Sequence, residues 1–164
     1  MAETSCLKNL QIDVSVTSKQ PPTISATVKN THPSTVVTIL KWESPLDPAA
    51  LGLGLISITP AGAVEPLRIN ALKISRATPP SADSLITLGP GESATNVVEL
   101  REPVVPASVW TAYGQATICL KGRWMAAWPG LTKQELQKDG QKLQGVGAGV
   151  GSLTRSWESD TVHI

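Results

Sequence analysis

Leu10, Ile12, Val14 and Val16 alternate with Gln11, Asp13, Ser15 and Thr17, and this period of two predicts a half-buried strand. Lys19 and the prolines after it end the pattern. It returns at Ile24, Ala26 and Val28 against Ser25, Thr27 and Lys29. Residues 30–34 then carry turn chemistry, with an Asn that can bond its own backbone and a Pro33 that fixes φ. Residues 36–40 are a β-branched apolar run, which predicts a strand covered on both faces. Taken together, residues 24–47 predict a β-hairpin around which the rest of the chain is arranged.

Residues 43–48 read as a loop held by two prolines, and residues 49–55 as an apolar, glycine-rich stretch too short for a helix. Residues 55–58 predict a short strand, ended by the turn Thr59-Pro60-Ala61-Gly62. Residues 64–69 and 71–75 read as two short strands or one bent strand, and Pro66 demotes the first toward a sheet edge. A polar loop over 78–83 leads to Leu85, Ile86 and Leu88, then to the turn Gly89-Pro90-Gly91-Glu92. Residues 94–100 return as a strand with Val97 and Val98 central. Residues 109–120 are the longest late strand, with Trp110, Ala112, Gly114, Ala116, Ile118 and Leu120 on one face. Gly114 there marks a bulge or a close backbone approach.

After Trp128-Pro129-Gly130 the pattern changes. Thr132-x-x-Glu135 fits a capping box and predicts a helix over 131–143, interrupted by Gly140. Residues 145–151, GVGAGVG, read as a flexible joint, and residues 153–164 as a closing strand that includes Trp157 and Val162. Roughly eight short strands separated by turns predict an antiparallel sandwich or barrel. The absence of βαβ alternation argues against a parallel sheet.

Composition narrows the class. A chain of 164 residues reads as one domain and can build a core without a disulfide or metal. A 41% hydrophobic and 16% charged balance excludes a wholly disordered chain and any long solvated helix. Phe is absent, so aliphatic side chains must fill most of the core. The net charge of +1, without a basic block, argues against a nucleic-acid partner. No segment approaches the about 20 apolar residues of a membrane span. The first ten residues, MAETSCLKNL, place an acid and a serine where a secretion signal needs a basic start and an apolar run. With no Asn-x-Ser/Thr sequon either, the expectation is a cytoplasmic protein whose Cys6 and Cys119 are free thiols.

The first alternating strand, then SATVKNT, then the apolar strand running into LKWESPLD, is similar to the N-terminal prosegment of the fungal deuterolysin family of zinc metalloproteases. The likeness continues at residues 72–77 and in Ile86-Thr87-Leu88-Gly89-Pro90-Gly91-Glu92-Ser93, covering about residues 10–120. The resemblance implies an immunoglobulin-like antiparallel β-sandwich, here all-β apart from one short C-terminal helix inserted before the last strand. It also implies a module that assists folding or holds a partner inactive. The chain departs from the family in its chemistry. Its two histidines, His32 and His163, stand in no His-Glu-x-x-His motif, and no room remains for a catalytic domain. No protease residue carries over.

The remaining chemistry is sparse. Two His and two Cys are too widely spread to predict a zinc site, and no cofactor is expected. His32 reads as a turn residue and His163 as a strand surface residue. Cys119, between Ile118 and Leu120, reads as a structural thiol. GVGAGVG has neither the spacing nor the Lys-Ser/Thr of a phosphate loop. The one concentration of recognition-type residues is Trp110, Tyr113, Trp124 and Trp128. They read either as an interaction surface or as a cap, with a loop over 123–130 folded across an open end of the sandwich. Trp124 and Trp128 at i, i+4 would share a face of a helical turn. The expectation is a non-catalytic intracellular module that binds a protein partner, with neither nucleic acid nor membrane involved. One alternative is a small-ligand carrier or small enzyme with a pocket under the Trp124/Trp128 loop. The other is a chain that self-associates through an edge strand.

Overall fold

The computed structural model describes residues 7–69, 71–74, 76, 80–110, 114–138 and 153–164. The alternating segments at the start form β1 (Leu10–Lys19) and β2 (Pro22–Asn30), paired antiparallel with Leu10 opposite Asn30 and Lys19 opposite Pro22. In β2 the apolar set Ile24, Ala26 and Val28 is fully buried, while Ser25 and Thr27 look outward. The sheet is completed by β6 (Ser93–Glu99), in which Val98 points inward and Val97 stands exposed.

The second sheet is built on one long strand, β7 (Ala116–Pro129). Along its first half it pairs with β4 (Ile56–Pro60) and β9 (Val162–His163). Along its second half it pairs with β3 (Val37–Leu40) and β8 (Leu153–Glu158), and β3 in turn carries β5 (Leu85–Leu88). All these pairings are antiparallel. The two sheets face each other across one core that takes Ile24, Ala26, Val28 and Val98 from the first, and Val37, Ile39, Ile58, Leu88, Ile118, Leu120 and Trp124 from the second. This is an all-β sandwich, as expected.

β3 is buried on both faces, as its β-branched run predicts. Val37 and Ile39 enter the main core, and Leu40 enters a second cluster beneath the helix Lys133–Lys138, with Leu85, Trp128 and Leu136. The capping box forms: Glu135 N donates to Thr132 Oγ1 at 3.2 Å, and Thr132 N donates to Glu135 Oε1 at 3.2 Å. The rest of the predicted helix over 139–143 lies outside the described residues, as does GVGAGVG.

Four expectations are corrected. First, residues 24–47 do not form a hairpin, because β2 and β3 belong to different sheets and the chain crosses between them at residues 31–36. Buried Asn30 anchors the crossing. Its Nδ2 donates to Thr35 O and Leu88 O, both at 2.9 Å, and its Oδ1 accepts from His32 N at 3.0 Å. Second, among the described residues no strand forms over 64–69 or 71–74. Val64 is exposed and Pro66 offers no donor, so the segment crosses the surface irregularly, tied by Leu67 N to Ile58 O and Leu72 N to Gly52 O. Third, the late strand begins at Ala116, because Gly114 turns the chain at φ 75°; a Cβ there would meet nothing, so no close approach is involved. Fourth, residues 123–129 are strand, not loop. The closing segment is two strands, β8 and β9, with Ser159 N bonded to Leu120 O between them.

Candidate functional site

Of the four aromatic residues singled out by composition, the three that are described, Trp110, Trp124 and Trp128, do not come together. Before Trp124 the even-numbered residues of β7 face the main core. The register of the β7–β8 pairing shifts between Trp124 and Ala127, and one extra residue flips every side chain after it. Ala127 therefore joins the main core, while Ala126 and Trp128 turn to the outer face beneath the helix. Trp124, 2% exposed, packs against Trp157 with ring centroids 6.0 Å apart, and Trp128 is 1% exposed. Neither offers an interaction surface, and residues 123–129, expected as a loop over a pocket, are part of β7. They share neither a helical turn nor a face. Trp110 is half-buried at one end of the sandwich, beside two clefts. Tyr113 lies outside the described residues.

The other candidates sit where their sequence neighbourhood placed them. His32 Nδ1 accepts from Ser34 N at 3.1 Å and Thr35 N at 2.9 Å, which shapes the crossing turn. His163 is an exposed residue of β9, 3.2 Å from Thr117 Oγ1. Cys119 is half-buried, its sulfur 3.4 Å from Ser159 O; Cys6 lies outside the described residues. Among the described residues no group of three or more His, Cys, Asp or Glu converges to hold a metal ion, and no helix is long and apolar enough to cross a membrane.

The best-built feature arises from LKWESPLD. Once β3 ends at Leu40, the chain folds into consecutive turns: Ser44 N donates to Lys41 O, Asp47 N to Ser44 O, and Ala50 N to Asp47 O. Asp47 is the buried centre of this loop. Its carboxylate accepts from Glu43 N at 2.8 Å and Ala49 N at 2.9 Å, and from Arg76 Nη2 at 3.0 and 3.1 Å. A buried carboxylate is tolerated only when paired and hydrogen-bonded, and both conditions are met here. The Arg76 guanidinium also lies over the Trp42 ring, 5.3 Å from its centroid, an arrangement suited to a planar cation on an aromatic face. Asn96 of β6 donates to Pro45 O and Asp47 O, which fastens the loop to the opposite sheet.

Two open clefts flank this assembly and share Trp42, Ile74 and Arg76. One, of about 450 Å³, is walled by Lys41, Ala49, Asp83 and Ser84; the other, of about 440 Å³, by Glu43, Leu53, Leu72, Lys73 and Met125. Leu72 and Ile74 stand 60% and 43% exposed between them, two of the four large apolar side chains so exposed among the described residues. The arrangement is an apolar floor with a rim of both charge signs. In the sequence, Trp42 and Asp47 stand out only within LKWESPLD, and Leu72 and Ile74 only within a stretch that reads as a short strand. Nothing in the spacing of residues 42, 53, 74, 76 and 125 announces that they meet.

A family model for an immunoglobulin-like domain matches residues 9–164. The chain belongs to this immunoglobulin-like domain family. The domain is also 33% identical, over 131 residues, to an uncharacterised secreted protein of Arthroderma benhamiae. The matched region is 79% of this chain and 65% of the relative, so the chain spans a little under two thirds of the relative's length. The expectation of a cytoplasmic protein is thereby corrected, since the relative is a secreted one. That expectation leaned on the first ten residues not reading as a secretion signal and on the lack of an Asn-x-Ser/Thr sequon, and it carried with it the expectation of free thiols. A sandwich with this large an aliphatic core folds without disulfides, so their lack does not report the compartment.

Proposed function

We propose that this immunoglobulin-like domain is a secreted, non-catalytic module that binds a protein partner through the Trp42–Arg76 groove. The observation that supports it is the pair Leu72 and Ile74, exposed over a half-buried Trp42 and ringed by Lys41, Lys73, Glu43 and Asp83. An apolar centre with an aromatic and an Arg, inside a polar rim, is the anatomy of a protein interface. The groove is held open by the buried Asp47–Arg76 pair, so little ordering is needed on binding. Self-association through β1 is the weaker reading. That ten-residue edge carries an exposed Asp13 and a register irregularity between Val16 and Ser18, both devices that discourage edge pairing.

Cross-linking mass spectrometry on the full chain in the culture fluid of its source organism tests the proposal. Lysine cross-links from Lys41 or Lys73 to one partner are expected, and Ile74→Asp should remove them without changing the unfolding midpoint. Cross-links that avoid both lysines, or that survive Ile74→Asp, would sink it. The finer reading, a prosegment-like inhibitor or folding aid, draws on the resemblance in LKWESPLD and the Leu88–Ser93 turn. It predicts that the added chain slows a deuterolysin-type zinc protease and that Ile74→Asp does not.

A further inference from the structure

We infer that the cleft beside Trp110 is a binding site for a neutral oligosaccharide, separate from the Trp42–Arg76 groove. Of the five tryptophans, Trp124, Trp128 and Trp157 are core residues; Trp110 is half-buried and lines two adjoining clefts. The larger, about 570 Å³, is walled by Lys19, Gln20, Pro22, Trp110 and Gln115 among others; the smaller, about 170 Å³, by Pro21, Glu99, Arg101 and Glu102 among others. The larger volume falls in the range of small-molecule sites.

The walls are secured by backbone hydrogen bonds, so the cleft is formed without a ligand. Pro22 O accepts from Leu100 N at 2.8 Å. Trp110 N donates to Ala107 O at 3.1 Å. Gln115 O accepts from Ala61 N at 2.9 Å, and Ala116 exchanges bonds with Ile164 at 3.0 and 3.1 Å.

Charge and hydrogen-bonding chemistry select the ligand class. Across both clefts the cations Lys19 and Arg101 balance the carboxylates Glu99 and Glu102, so neither an anion nor a cation is favoured. A lipid chain would desolvate Lys19, Gln20 and Gln115 without giving them partners, at a cost. A sugar ring offers both things the cleft asks for. Its C–H face covers the Trp110 and Pro22 surface. Its hydroxyls both donate and accept, as the Gln20 and Gln115 amides do. Two clefts meeting at one tryptophan suit a linear chain of rings.

Calorimetric titration of the full chain with laminaripentaose, cellopentaose and chitopentaose at millimolar concentration tests this, with a decaproline peptide as the contrasting ligand. At least one saccharide should bind and decaproline should not. Trp110→Ala should weaken binding by about tenfold or more, and Trp110→Phe by less. Because Trp110 also touches the core, the exposed Gln115→Ala is the second variant. It should weaken binding about threefold to tenfold with an unchanged unfolding midpoint. The inference is overturned if no saccharide binds, if decaproline binds instead, or if saccharide affinity is the same in Trp110→Ala and Gln115→Ala as in the parent.

Discussion

The side-chain amide of Asn30 donates to the carbonyl of Leu88 at 2.9 Å, and this one bond joins two of the three places where the chain crosses between sheets. Asn30 ends β2 before the crossing to β3, and Leu88 ends β5 before the crossing to β6. The backbones close the same junction, with Asn30 N bonded to Glu92 O and Gly91 N to Asn30 O. The Asn side chain makes three bonds in a buried setting, so its polar capacity is almost fully used.

Asn30→Ala should therefore be among the most damaging single changes outside the apolar core. It strands the carbonyls of Thr35 and Leu88 and the N–H of His32, and a loss of about 3 kcal/mol is expected. At this chain length that lowers the melting midpoint by roughly 6–12 °C. Asn30→Asp should fare little better, since a carboxylate cannot donate to either carbonyl. Urea unfolding measures it; a change below about 1 kcal/mol would show that water replaces the amide.

The Asp47–Arg76 pair gives an asymmetric prediction. Asp47→Ala removes the acceptor of two loop N–H groups and leaves a partly buried guanidinium unpaired, so a loss of about 3–5 kcal/mol is expected. Arg76→Ala leaves Asp47 with its two backbone donors and should cost less, about 1–3 kcal/mol. Arg76→Lys keeps the charge but forfeits the planar stack on Trp42, and should fall between the parent and Arg76→Ala. Equal losses for Asp47→Ala and Arg76→Ala in urea unfolding would refute the view that the carboxylate organises the loop.

Gly122 is predicted to tolerate no side chain. A Cβ there would stand 2.7 Å from Glu43 O and 2.8 Å from Trp157 Cζ2. Glu43 cannot retreat easily, because its backbone is already at φ 58° and its carbonyl accepts from Trp157 Nε1. Gly122→Ala should cost about 2 kcal/mol or more and alter the near-UV circular dichroism of the Trp124–Trp157 pair. An unchanged spectrum would mean that β8 slides freely away from β7.

These residues also show what the sequence discloses. Period-two alternation placed β1 and β2, the β-branched run placed β3, the central Val97 and Val98 placed β6, and Thr132-x-x-Glu135 placed the helix start, because each is a local signal. The hairpin failed at Asn30 because partner choice is long-range: turn chemistry over 30–34 is the same whether the chain returns or crosses. The tryptophan surface failed at the β7 register shift. Ala126 and Ala127 look alike in sequence, yet the extra residue sends Trp124 to one core and Trp128 to another. The Trp42–Arg76 groove is assembled from six separate stretches and left only Leu72 and Ile74, aliphatic residues that form no strand, as its trace.

The last prediction separates two buried tryptophans. Trp157 Nε1 donates to Glu43 O at 3.0 Å, whereas Trp128 Nε1 is buried with no hydrogen-bond partner among the described residues. Trp157→Phe loses a made bond as well as ring contacts, and should cost about 2–3 kcal/mol. Trp128→Phe also leaves a small void, worth about 1 kcal/mol, but it removes a stranded donor whose burial costs about 1–3 kcal/mol. The two terms oppose each other, so Trp128→Phe should leave stability unchanged or raise it by up to about 2 kcal/mol. Parallel urea melts decide the matter. If Trp128→Phe proves as harmful as Trp157→Phe, the indole N–H beneath the helix has a partner in solution.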